Sequence, residues 1–144
     1  MAGELNSPTP CFDTDSSPFA VDPGASATIS NSREDFGELH ATPNLFLKGV
    51  GGKVPVKGMG TLKWNLLDDT GKGHTMVIEQ AYYVPEAPLS LLCPQQWAKQ
   101  RATAKGTKDK PQFVTMASNA KLSWIKGKTT ITIPYDQVSN LPIS

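Results

Sequence analysis

Cysteine and histidine are almost missing from this chain of 144 residues, which holds two of each: Cys11, Cys93, His40 and His74. Two cysteines make no disulfide framework and point to a reducing, cytosolic setting. The four residues lie far apart with no paired short spacing, so no metal site is expected. No apolar run approaches the ~20 residues of a membrane span. The opening MAGELNSPTPC has neither the basic start nor the apolar stretch of a secretory signal. A charge of one sign is also lacking. Fourteen Lys and Arg against 13 Asp and Glu give +1, which favours neither nucleic acid nor a membrane as partner.

What the chain does have is turns. Twelve Gly and 12 Pro with 38% apolar residues suit a turn-rich β protein better than a helical bundle. The length allows one domain with a real core. Residues 1–17 are rich in Pro, Ser, Asp and Thr and read as a flexible flank, with a domain over 18–144 whose order begins near Phe19. Phe19 to Val21 is a short apolar run, and SATISNS is a second short strand. SREDF reads as one helical turn, with Ser32 as N-cap and Asp35 near the capping-box position.

The centre is the most strand-like part. Leu45, Leu47, Val50, Val54, Val56, Leu62, Trp64 and Leu66 fall largely in period two, and glycines cut the stretch into hairpins. Asp68 and Asp69 precede a glycine turn, and HTMVIEQAYYVP is the next strand. LLCPQQWAKQ reads as a short helix entered at Pro94, whose missing N–H costs nothing at the first helical position. QFVTMAS, KLSWIKG and TTITIPYD make three more strands, a β extension over 105–144. Short strands with one or two small helices argue for a closed or nearly closed all-β structure.

One stretch carries a chemical question. AVDPGAS (residues 20–26) spells a tight turn, with proline presetting φ and glycine accepting the positive φ that follows. A lone Asp-Pro-Gly is ordinarily just a turn. Here it ends an apolar strand, and it is followed in order by KGVGG, VKGMGTLKW, DDTGKGHT, YYVPEAPLSLL and PQQWAKQ. That order resembles the retropepsins and, more closely, the protease segment of copia-type retrotransposon polyproteins. Those carry Asp-Ser-Gly-Ala-Ser after an apolar strand, a glycine-rich stretch, a Lys-Gly-Xaa-Gly-Thr strand, Tyr-Val-Pro, and Leu-Leu before a helix. The resemblance runs from about Phe12 to Gln100, and PYDQVSNLP looks like the tail of some such elements. Two residues depart from it. Pro23 stands where the family has Ser or Thr, and Cys93 where it has Gly or Ser.

The resemblance implies a retropepsin-like closed β-barrel that works as a homodimer. Asp22 and its symmetry mate would share a proton, one activating water and the other protonating the peptide carbonyl. No metal or cofactor is implied. Pro23, Gly24, Ala25 and Ser26 would complete the active-site loop. Gly49, Val50, Gly51 and Gly52 would form a flap closing over an extended polypeptide substrate that adds as a strand. The implied task is processing a Gag-Pol polyprotein, in the cytoplasm or inside a virus-like particle. In the family, the hydroxyl and N–H at position 23 tie the two active-site loops together, and proline has neither. A catalytically silent module for dimerisation or peptide binding therefore stands beside the enzyme. An unrelated small barrel with an ordinary exposed turn is the third reading.

The remaining residues read more simply. Trp64, Trp97 and Trp124 are expected in the core. Asp13 and Asp15 sit in the polar flank. Lys99, Arg101, Lys105, Lys108 and Lys110 cluster without interleaved aromatics, so a solvated loop is expected rather than a nucleic-acid site.

Overall fold

The structure, a computed structural model, describes residues 19–49 and 52–135. The expected flank over 1–17 and the tail beyond Tyr135 lie outside the described residues, as do Cys11, Val50 and Gly51. The described residues form eleven strands and one α-helix. The strands are β1 (Phe19–Val21), β2 (Ile29–Ser30), β3 (Phe36–His40), β4 (Phe46–Gly49), β5 (Gly52–Pro55), β6 (Gly58–Leu67), β7 (Gly73–Tyr83), β8 (Ser90–Leu92), β9 (Gln112–Thr115), β10 (Asn119–Trp124) and β11 (Thr129–Pro134). The helix α1 spans Pro94–Lys105, and 3-10 turns occupy Arg33–Asp35 and Thr107–Asp109.

Period-two alternation does much of the folding. On β6, Leu62, Trp64 and Leu66 are buried between exposed Thr61, Lys63 and Asn65; on β7, Met76 and Ile78 alternate with exposed Thr75, Val77 and Glu79. These strands form one long antiparallel hairpin. The largest sheet runs in the order β1-β8-β2-β7-β6-β3. No ladder joins β1 to β3 among the described residues, so this sheet is open where the sequence led us to expect a closed barrel. The edges account for this: β1 has only three residues, and the β3–β6 register breaks between Phe36 and Leu39. β9, β10 and β11 instead form a separate three-stranded sheet. Its Leu122, Trp124, Ile131 and Ile133 join the same buried cluster as Phe19, Leu62, Trp64, Leu66, Met76 and Trp97.

All three tryptophans are buried, as expected. Trp64 stacks on Phe19 with ring centroids 4.3 Å apart, and Trp97 meets Trp124 edge-on at 5.7 Å. The turn before β3 differs from expectation. It is a 3-10 turn whose N-cap Ser32 makes no side-chain cap bond. Asp35 turns inward instead, accepting hydrogen bonds from the Ser30 hydroxyl (2.6 Å) and the Trp64 indole N–H (2.8 Å). A buried indole N–H left without an acceptor is costly, and that demand decides the carboxylate's orientation.

The β6–β7 turn is held by Asp68. Its carboxylate accepts the Thr70 hydroxyl (2.6 Å), the Thr70 and Lys72 N–H groups, and the His74 Nε2–H at 2.7 Å. The Thr70 hydroxyl above all, and then His74, keep this carboxyl well below the usual carboxylate range. A pKa depressed by folding means the stabilisation is complete above the unfolded value, ~3.9, and fades as pH falls through and below it. Asp68→Ala should therefore lower the urea midpoint at neutral pH, and the gap between the two midpoints should narrow steadily as pH falls below about 4. A gap unchanged across that range would show that the carboxylate's charge is not what holds the turn.

Candidate active site

Asp22 sits where β1 ends. Its N–H donates to the Leu92 carbonyl at 3.0 Å, which extends the parallel β1–β8 ladder by one bond. The loop that follows is not a hairpin. β8 lies between β1 and β2, and its Leu91 pairs with Ala20 on one side and Ile29 on the other. Residues 22–28 thus pass across the end of β8 to connect two strands that do not touch. The turn closed by the Ala25 N–H on the Asp22 carbonyl therefore does not join two paired strands.

The loop is held from within and from behind. The Gly24 N–H donates to Asp22 Oδ1 at 2.9 Å, and the Ala25 N–H to the Asp22 carbonyl at 3.0 Å. A Cβ on residue 24 would lie 3.3 Å from that same carboxylate oxygen, so glycine lets the backbone come this close. No other hydrogen bond reaches the Asp22 carboxylate among the described residues. Asp22 is partly exposed, while Pro23, Gly24 and Ser26 are exposed. At the rear, buried Thr28 accepts the Cys93 N–H on its hydroxyl (3.1 Å) and donates its own N–H to Gln96 Oε1 (2.9 Å).

The helix contributes more than the sequence reading foresaw. Gln95 Nε2 donates to the Pro23 carbonyl at 2.9 Å, and the Cys93 thiol lies 3.6 Å from Gln95 Oε1. One side chain thus bridges the two positions at which this chain departs from the family it resembles. Gln96 and Gln100, one turn apart, bond to the β7 bulge at Glu79 and Gln80, where Gln80 adopts φ 60°. A bulge leaves ladder groups unpaired, and the two amides satisfy them. The available signal was three glutamines in the first two turns of a helix with little apolar character.

Of the residues expected to form a flap, Gly49 and Gly52 lie in a described hairpin. β4 and β5 form a hairpin with Gly49 paired to Gly52, whose φ is 111°, while Val50 and Gly51 lie outside the described residues. Leu45, Leu47 and Val54 pack against a small cluster of Ile29, Val56, Val84 and Ala87 that also receives Leu91. Ile29 and Leu91 belong to the strands that frame the Asp22 loop, so the β4–β5 hairpin and the loop share one support. A groove lined by His74, Val77, Gln100, Arg101, Trp124 and Ile125 lies beside the later turns of α1. The Asp22 loop meets the first turn instead, so that groove takes no part in this site.

No cluster of three or more His, Cys, Asp or Glu able to hold a metal occurs among the described residues. Among them no helix is long and apolar enough to cross a membrane. No curated protein matches the chain. A family model described as Pol polyprotein, beta-barrel domain matches residues 19–103. That span starts at β1, takes in the Asp22 loop and the β4–β5 hairpin, and ends within α1. It covers more than half of the chain, which therefore belongs to the Pol polyprotein beta-barrel domain family.

Proposed function

We propose that this Pol polyprotein region is an aspartic endopeptidase of copia type that cleaves a Gag-Pol polyprotein, with Asp22 from each of two copies forming one active site. The observation that carries this reading is the setting of Asp22. A partly exposed carboxylate stands at the end of a buried strand, in a loop that β8 and α1 fix from behind. Peptide hydrolysis by carboxylates requires an acid and a base at once, and one chain supplies one such loop. Two loops meeting at a two-fold axis hold the pair, and a proton shared between them keeps one carboxylate basic and the other acidic. The first takes a proton from water as it attacks, and the second protonates the carbonyl oxygen. The β4–β5 hairpin closes over the extended substrate and excludes bulk water.

A specific observation supports the second reading, a silent module that dimerises or binds peptides. Pro23 is exposed and offers only its carbonyl, already bonded to Gln95. It has no N–H or hydroxyl to reach a partner loop, and each such bond is worth about 1 kcal/mol net. Pro23→Ser is therefore expected to tighten the dimer, about tenfold per bond-equivalent of 1.4 kcal/mol regained across the interface. Sedimentation at matched concentrations reads this, and two equally monomeric proteins would refute it. The catalytic reading is tested with a peptide bearing a tetrahedral hydroxyl at the scissile position. It should raise the melting temperature of the wild type at mildly acidic pH and leave Asp22→Asn unchanged. No shift in either protein supports the silent module.

A further inference from the structure

Charge is unevenly spread along this nearly neutral chain. Residues 99–128 hold eight of the 14 Lys and Arg but only one of the 13 Asp and Glu, so they carry +7 while the remainder carries −6. The single acid, Asp109, is already committed. Its carboxylate grips Arg101 through Nε (2.5 Å) and a second nitrogen (3.3 Å), and it accepts the Ile125 N–H. The Lys126 N–H donates to the Asp109 carbonyl at 2.8 Å. Asp109 therefore stitches the turn after α1 to the turn between β10 and β11. This brings Lys126 and Lys128 beside Lys105, Lys108 and Lys110, a neighbourhood that spacing along the sequence does not show.

All five of these lysines are exposed, and none is in an ion pair among the described residues. Five like charges gathered without counter-charges repel one another, so an arrangement that assembles them gains from an anionic partner. The backbone here is also unusual. Lys110, Ile125 and Lys126 have φ of 50°, 54° and 56°, and a β-branched residue such as Ile125 rarely adopts that region.

We propose that this face binds the phosphate backbone of nucleic acid without sequence preference. Lysines supply point charges rather than planar forks, which suits phosphates spaced along a strand. Trp97 and Trp124 are buried, so the face has no platform on which to stack and read bases. Ile125 is the only large apolar side chain exposed on these turns, too little to enter a lipid surface. The proposal replaces the solvated loop expected from the sequence, and it does not depend on the peptidase reading.

The test is fluorescence anisotropy of the full chain with labelled single-stranded RNA and duplex DNA of about 20 residues, at about 50 and 200 mM salt. With five phosphate contacts, affinity should fall about 500-fold for the duplex and about 130-fold for the single strand over that range. Lys126→Glu/Lys128→Glu should weaken binding at least tenfold and flatten the salt slope. Lys57→Glu/Lys63→Glu, which makes the same change in net charge elsewhere, should have little effect. Lys105→Gln/Lys108→Gln serves as a milder second variant if the reversal lowers the melting temperature. The proposal is overturned by absent binding at low salt, by equal losses in both reversals, or by polyglutamate or anionic vesicles competing as well as nucleic acid at equal charge.

Discussion

Cutting the chain after Thr103, where the family match ends, should abolish cooperative unfolding. The hydrophobic core does not stop at that boundary. Leu122, Trp124, Ile131 and Ile133, all from the three-stranded sheet beyond α1, share one cluster with Leu66, Met76 and Trp97. Trp97 is on the matched side of the cut and Trp124 on the other, with their rings 5.7 Å apart. Re-exposing Leu66, Met76 and Trp97 alone costs up to ~5–9 kcal/mol, at roughly 1.5–3 each. A whole domain of this size is stable by ~5–15 kcal/mol. Polar ties are lost as well. Asp69 accepts the Thr132 N–H at 2.8 Å and its hydroxyl at 2.5 Å, while the Asp69 N–H donates to the Thr130 carbonyl. Thermal unfolding followed by near-ultraviolet circular dichroism should show a sharp transition for the full chain and none for residues 1–103. A fragment melting cooperatively within a few degrees of the full chain would show that the second sheet is an accessory.

The parts of the fold that the sequence revealed are those governed by local rules. Alternation in β6, β7, β10 and β11 is visible because each buries one face, and Pro94 marks the start of α1 because proline fits there. The helix runs further than expected, to Lys105, where Gly106 ends it with φ 89°. β3 was not visible, because Phe36-Gly37-Glu38-Leu39-His40 lacks β-branched residues and buries fully only Phe36. Sheet order was not visible either. Nothing local places β8 between β1 and β2, since that arrangement is set by Leu91 pairing with Ala20 and Ile29 from segments some 60 to 70 residues away. At the site, Asp22 and Gly24 were legible as a motif. The grip of Gln95 on Pro23 was not, because it depends on how α1 lies against the loop. Asp68 was legible as a turn residue, but its bond to His74 becomes apparent only once β7 turns back.

The proposed peptidase needs Asp22 as a chemical group rather than a turn residue. Replacing its carboxylate by an amide keeps the size and the acceptor for the Gly24 N–H, so the loop should survive in Asp22→Asn. What disappears is the proton transfer, and with it about 10²–10⁴-fold in rate. The most direct measurement is digestion of an unfolded protein substrate at mildly acidic pH, at high concentration of the chain to favour the dimer, with wild type and Asp22→Asn side by side. Cleavage by the wild type that vanishes in the mutant is the predicted result. Cleavage that persists in Asp22→Asn, or no cleavage by either protein, would show that Asp22 is not a catalytic acid–base group.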